Sequence, residues 1–246
     1  MNHAANKGFT LIELLLAMSF VSMLLLAIAM TVIQVGSTYN RGMLLKEVNQ
    51  TSRAVTTSML SSISAQGNID LTKDYRKLNE AGVAVGGRLC LGAETFIWNY
   101  AEALQRDASG GGVTLGSIVR NGGTGASPVK FIRLPDPTKK YCALNALGNV
   151  SVAHIPAAEA SSVEELIKGG DRDLNIYQFD ISSNDASFDS TTGQRLYTIT
   201  FTIGSGNIEA LNASRTLCKG PGEPGSDLQY CAVEQFTITV RSGGKD

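Results

Sequence analysis

The sequence predicts an α+β protein in which a long N-terminal helix, apolar enough in its first half to cross a membrane, packs on a C-terminal antiparallel β-sheet lobe. Three observations carry this expectation. Residues 14–33 are 20 consecutive positions without charge, proline or glycine, about 30 Å of α-helix and hence the thickness of a hydrocarbon core. Residues 37–65 contain no proline and place Leu44, Val48, Val55, Met59 and Ile63 at helical spacing, with Arg41, Lys46 and Arg53 between them. That pattern predicts a helix that leaves the membrane and continues as an amphipathic one. Near the C-terminus, Tyr197, Ile199, Phe201 and Ile203 alternate with Thr198, Thr200 and Thr202, and Phe236, Ile238 and Val240 alternate with Thr237 and Thr239. Two-residue periodicity of this kind is the mark of strands with one buried and one polar face.

The helix is introduced by Lys7-Gly8-Phe9-Thr10-Leu11-Ile12-Glu13, a small basic leader running into the apolar run. Glu13 is the anomaly, because a carboxylate inside such a segment costs about 3 kcal/mol on insertion scales. It needs a pairing group. This GFTLIE pattern followed by an apolar helix resembles the class III leader of type IV prepilins and type II secretion pseudopilins. The resemblance implies a type IV pilin-like fold, cleavage by prepilin peptidase between Gly8 and Phe9, and N-methylation of Phe9 as the first mature residue. It also implies that Glu13 pairs with the terminal amine of a neighbouring subunit during filament assembly. The physics agrees, since two buried charges are tolerable mainly when each satisfies the other. The likeness covers the N-terminal helix and says little about the lobe. Two other readings of the stretch are a conventional signal peptide, cut after Ala27-Ile28-Ala29 to leave Met30 first, and an unprocessed anchor.

Residues 9–35 lack any proline or glycine, whereas many major pilins carry a helix breaker there, so a stiffer helix is expected. Gly36 and Gly42 are its weak points, each costing about 1 kcal/mol relative to alanine. The expected division is a leader over 1–8, a transmembrane and filament-core helix over 9–36, its amphipathic continuation over 37–65, and an extracytoplasmic β-rich lobe over 66–246.

Within the lobe, residues 66–88 read as a connection with one short helical turn, and residues 88–100 as two short strands around a Gly-Ala turn. Trp98 reads as a packing residue against the long helix, with a sugar or surface contact as the alternative. Residues 106–128 hold seven glycines in no phosphate-binding frame, and read as an exposed excursion. Residues 129–134 (VKFIRL) predict a strand stopped by Pro135-Asp136-Pro137. Lys130, Arg133, Lys139 and Lys140 form the densest basic cluster, read as a solvated face with a DNA or surface contact as the alternative. Residues 161–168 (SSVEELIK) have a hydroxyl start, acidic first turn and Gly-Gly stop, which predicts a short capped helix. Residues 174–181 alternate into a strand. Asp185 and Asp189 lie in a polar loop that lacks the DxDxDG calcium spacing, so it reads as a hairpin loop, although some pseudopilins bind calcium near their C-termini.

Cys90, Cys142, Cys218 and Cys231 all follow the apolar run, where a translocated domain would meet an oxidising compartment. Four cysteines allow three pairings. Cys218 with Cys231 closes a short Gly/Pro-rich loop, expected near the outer edge of the sheet, which favours Cys90 with Cys142 as the second pair. Four buried thiols are the alternative. Only His154 would survive leader removal and no CxxC occurs, so no metal site, cofactor or catalytic residue is predicted. A net charge of -1 supports no nucleic-acid partner across the whole domain, leaving only a local patch. No small-molecule substrate is implied.

The resemblance therefore implies a filament subunit, with a minor pilin first, a major pilin second and a secretion or DNA-uptake pseudopilin third. The lobe is larger than is usual for major pilins, and its C-terminal cysteine loop resembles larger minor pilins and type II secretion pseudopilins of the J kind. Its expected partners are other pilin subunits, prepilin peptidase and the inner-membrane assembly platform. The expected location is the cytoplasmic membrane, single-pass, then a surface pilus or periplasmic pseudopilus. From another class, the helix would merely deliver a surface adhesin or binding module.

Overall fold

A computed structural model of the protein describes residues 9–80, 82–105, 119–120, 127–146, 148, 150, 152, 154–168, 173–184 and 187–243. Lys7 and Gly8 of the expected leader, most of residues 106–128, and Asp185 lie outside the described residues.

Helix α1 (Leu11–Ser64) runs unbroken for 54 residues, about 81 Å. It starts at Thr10, whose extended backbone and side chain make an N-cap, and ends at Ala65 where Ala65 N–H donates to the Ser61 carbonyl at 3.2 Å. It passes straight through Gly36 and Gly42, where an added Cβ would meet nothing within 4 Å. Packing therefore requires neither glycine. Every residue from 9 to 36 is exposed, and burial begins at Leu44. The buried stripe comprises Leu44, Val48, Ser52, Val55, Met59, Ser62 and Ile63, the face that its spacing predicts. Burying the five apolar members contributes about 10 kcal/mol gross, before the entropy of ordering them is subtracted.

Short helix α2 (Leu71–Asp74) leads into β1 (Tyr75–Glu80), β2 (Val83–Leu91), β3 (Glu94–Asn99) and, after α3 (Ala101–Gln105), β4 (Val119–Arg120), β5 (Ser127–Pro128) and β6 (Phe131–Pro135). β7 (His154–Ile155), β8 (Glu164–Ile167), β9 (Leu174–Ser183), β10 (Leu196–Ser205) and β11 (Val233–Arg241) complete the described strands, with short 3₁₀ turns at Ala157–Ser162 and Ile208–Ala210. An antiparallel sheet has the order β1-β2-β3-β6-β8, a second has β11-β10-β9, and a small third has β5-β4-β7. The protein is thus α+β, a long apolar-tipped helix on antiparallel sheets. α1 touches β11, β10 and β8, so it closes one side of both larger sheets.

The apolar alternation of the C-terminal strands turns inward as expected. Tyr197, Ile199, Phe201 and Ile203 are fully buried, with Ile199 opposite Ile238 and Ile181, and Phe201 opposite Phe236 and Phe179. Trp98 is also fully buried, in the same core cluster as the α1 stripe, and aromatic side chains of the sheets surround its ring. Its ring centroid lies 4.2 Å from that of Phe179, 5.8 Å from Phe131 and 6.3 Å from Tyr75. Trp98 thereby joins the two sheets inside one core that also holds the helix stripe.

Two expectations fail in the lobe. Residues 66–88 are a single helical turn followed by β1 and the greater part of β2, instead of a connection. Gly86 and Gly87, which suggested a loop, are where β2 makes room for Trp98: a Cβ on Gly87 would run into the indole ring and come within 2.9 Å of the Arg76 carbonyl. Residues 161–168 are the end of a 3₁₀ turn (Ala157–Ser162) and then β8, not a capped helix. Ser162 Oγ donates to the Glu159 carbonyl at 2.8 Å, closing that turn instead of capping amides. Arg133 then holds Glu164 at 2.5 Å across the β6–β8 pair, so strand pairing with burial of Leu166 and Ile167 outweighs the local helix signals.

Both disulfides of the favoured pairing are present, Cys90–Cys142 and Cys218–Cys231, with Cα atoms 6.2 and 5.9 Å apart. Each anchors a smaller core. Cys90 and Cys142 pack with Ile97, Ile132, Leu134 and Tyr141 on the outer face of the five-stranded sheet. Cys218 and Cys231 pack with Tyr177, Ile208 and Leu211.

Candidate functional site

The candidate site is the start of α1 and the bare helix that follows. Thr10-x-x-Glu13 forms a capping box: Glu13 N–H donates to Thr10 Oγ1 at 3.4 Å, and Thr10 N–H donates to Glu13 Oε2 at 2.9 Å. The Thr10 hydroxyl donates to the same carboxylate oxygen at 2.8 Å. The reciprocal bonds satisfy backbone donors that a helix start otherwise leaves open. Within the single chain, then, Glu13 has a local partner. Both of its bonds fall on Oε2, which leaves Oε1 to accept from another donor. No role for Thr10 is assigned from the sequence above, although a threonine three residues before a glutamate at the head of an apolar run is the signature of this motif. Phe9 stands clear of the chain at 82% exposure, so the expected cleavage and methylation position is unobstructed by the lobe.

Beyond Glu13 the helix carries hydroxyls but no further charge until Arg41. Ser19 donates to the Leu16 carbonyl at 2.8 Å, Ser22 to Met18 at 2.8 Å and Thr31 to Ala27 at 2.9 Å. Each of these hydroxyls is spent on the helix itself, which reduces the cost of placing it among hydrocarbon or apolar helices. Leu, Ile, Met, Phe and Val side chains over residues 9–35 are more than half exposed. Such a surface is too large and continuous for water. α1 is long and apolar enough to cross a membrane.

The lobe is fastened along the second half of the helix. Asn40 Nδ2 donates to Tyr230 Oη at 3.3 Å, Asn49 Nδ2 to Glu234 Oε2 at 3.3 Å, and Ser62 Oγ to Glu94 Oε2 at 2.8 Å. Gly243 packs against the carbonyls of Ser64 and Gln66. The chain from Tyr230 to Gly243 therefore runs beside α1 from Asn40 to Gln66, about 40 Å by strand or by helix rise. The Cys218–Cys231 loop lies at the end of the lobe nearest the apolar run, not merely at a sheet edge.

Among the described residues, the other candidates have local partners. The four cations of the basic cluster each face a carboxylate: Lys130 pairs with Asp173, Arg133 with Glu164, Lys139 with Asp74 at 2.7 Å, and Lys140 with Glu159. Lys140 first, and then the Tyr141 hydroxyl, hold the Glu159 carboxyl below its ordinary range. A phosphate backbone would meet a neutralised surface here. Asp189 is a turn cap, its Oδ1 accepting from Thr191 N–H at 2.8 Å and its Oδ2 from the Thr192 hydroxyl at 2.8 Å. These bonds, with the Thr192 hydroxyl foremost, lower its pKa. No group of three or more His, Cys, Asp or Glu able to hold a metal occurs among the described residues. His154 stands exposed on β7.

Compared with models of protein families, with curated proteins and with solved structures, the chain matches none.

Proposed function

We propose that this protein is a structural subunit of a type IV pilus or related pilin-like filament, in the role of a minor pilin. The observation that carries the proposal is the division of one unbroken helix into a bare apolar half, headed by Glu13, and a half clamped to a disulfide-bonded lobe. A bare half of that kind has two natural environments, a bilayer and a bundle of like helices. On this reading the membrane stores the subunit, prepilin peptidase cuts after Gly8, and Phe9 is methylated. The platform then draws the helix into the filament core, where Glu13 meets the terminal amine of a neighbour. The chemistry fits: cleavage creates a cation beside an apolar helix, and Glu13 Oε1 is open to receive it.

N-terminal sequencing of the protein from its own cells tests the processing step. Methyl-Phe9 is the expected first residue, and replacing Gly8 by a bulky residue should leave unprocessed chain in the membrane. A chain beginning at Met30 would overturn the proposal in favour of a secreted lobe. That each cation of the basic cluster faces a carboxylate supports the filament reading over a DNA-binding one.

A further inference from the structure

We propose that the Cys218–Cys231 loop is a membrane-surface foot: Leu217, Leu228 and Tyr230 rest on the lipid headgroup layer next to the point where α1 emerges. The inference rests on the reading that α1 crosses a membrane, and adds a second, peripheral contact to it. It begins with position. Because α1 is a single helix fastened to the lobe, the bilayer's plane is fixed relative to the lobe. Of the hydrogen bonds described above between lobe and helix, Tyr230 to Asn40 is nearest the apolar run. Asn40 lies about 10 Å past Ile33, whereas headgroups extend about 5–7 Å beyond the hydrocarbon. The 27-residue run from 9 to 35 exceeds the core thickness by about 10 Å, an excess that helix tilt absorbs, and tilt lowers the loop further. The loop is thus within a side chain's reach of the headgroups.

Its composition suits that place. Leu217 is 65% exposed and Tyr230 55% exposed, with Leu228 and, on the facing helix, Tyr39 and Leu45 also open. Together with residues 9–35 they carry exposed apolar surface from the helix onto the lobe. Tyrosine with leucine at such a boundary matches the aromatic belt of membrane interfaces. A cleft between loop and helix, lined by Arg41, Leu45, Leu217, Leu228 and Val233, is continuous with the patch. The loop itself carries Lys219 against Glu223 and Asp227, an acidic excess of one. The contact is therefore apolar and works on zwitterionic lipid. The disulfide and the Lys219 bond to the Pro224 carbonyl at 2.8 Å hold the loop in shape, so little order is lost on docking.

The test uses the full chain, at one copy per nanodisc and then at rising copy number, in phosphatidylcholine mixed with acyl-brominated and headgroup-nitroxide phosphatidylcholine, which quench tryptophan in the span and at the headgroup layer respectively. Native Trp98 is buried in the lobe and supplies a constant background. Three single variants are compared: Leu217→Trp in the foot, Phe20→Trp in the span, and Phe188→Trp in the loop between β9 and β10, at the far end of the same sheet. The expected result is loss of emission for the variants at 217 and 20 and none at 188. Leu228→Trp reports on the same foot should the first variant disturb the loop. Quenching at 20 with none at 217 or 228 overturns the foot and leaves the span intact. No quenching at 20 overturns the span and the foot together. Blue-shifted, unquenched emission at 217 that grows with copies per disc overturns the lipid contact in favour of a second copy of the chain.

Discussion

Glu13→Ala is expected to yield a chain that is cleaved and inserted normally yet is missing from filaments. The monomer has little to lose. The substitution removes the carboxylate half of the Thr10 capping box, worth about 1 kcal/mol at a helix start, and relieves about 3 kcal/mol of insertion cost. In the filament the balance reverses, because a neighbour's terminal amine would be buried without its counter-charge, a loss of about 3–5 kcal/mol. At about 1.4 kcal/mol per tenfold, that is a hundredfold or greater fall in incorporation at each subunit contact. Glu13→Gln separates the two jobs, since an amide oxygen can still accept from Thr10 but carries no charge. Recovery of subunit in sheared filaments, quantified beside total membrane-inserted chain, is the measurement. Wild-type incorporation of Glu13→Gln would assign the residue to capping alone.

The second large effect is on the lobe. Trp98→Ala is expected to destabilise it by about 3–5 kcal/mol, the range for emptying a large aromatic site. Collapse cannot repair the loss easily. The ring is enclosed by Phe179, Phe131 and Tyr75 from two different sheets, and Gly87 faces it without a side chain that might swing into the void. Denaturant unfolding of the full chain in detergent, followed by tyrosine circular dichroism, checks this. A loss below about 1 kcal/mol, as for surface sites, would mean that the sheets are not joined through this ring.

Legibility in the sequence followed the number of faces each element buries. α1 was readable end to end because one half faces no protein and the other buries a single stripe. β10 and β11 were readable because the threonine face stays polar. β2 was obscured because it is buried on both faces, against Trp98 on one side and the Cys90–Cys142 core on the other, so that alternation disappears. Its paired glycines then resembled a loop. β8 was misread because Ser161, Glu164 and Gly169 mimic helix punctuation, while the residues that decide the matter, Arg133 and Phe131, lie some thirty positions earlier. At the candidate site, Gly8, Phe9 and Glu13 stood out by residue type. Thr10 did not stand out by residue type, although its spacing from Glu13 is that of a capping box. The location of the Cys218–Cys231 loop beside Asn40 depends on contacts across 190 positions, which no local pattern encodes.

Immunogold electron microscopy of whole cells with an antibody to the lobe, in wild type and in Glu13→Ala, tests the filament proposal most directly. Gold along or at the tips of surface filaments, lost in the variant while the envelope keeps its label, is the predicted result. Label confined to the envelope in both strains, with filaments unlabelled, would contradict it.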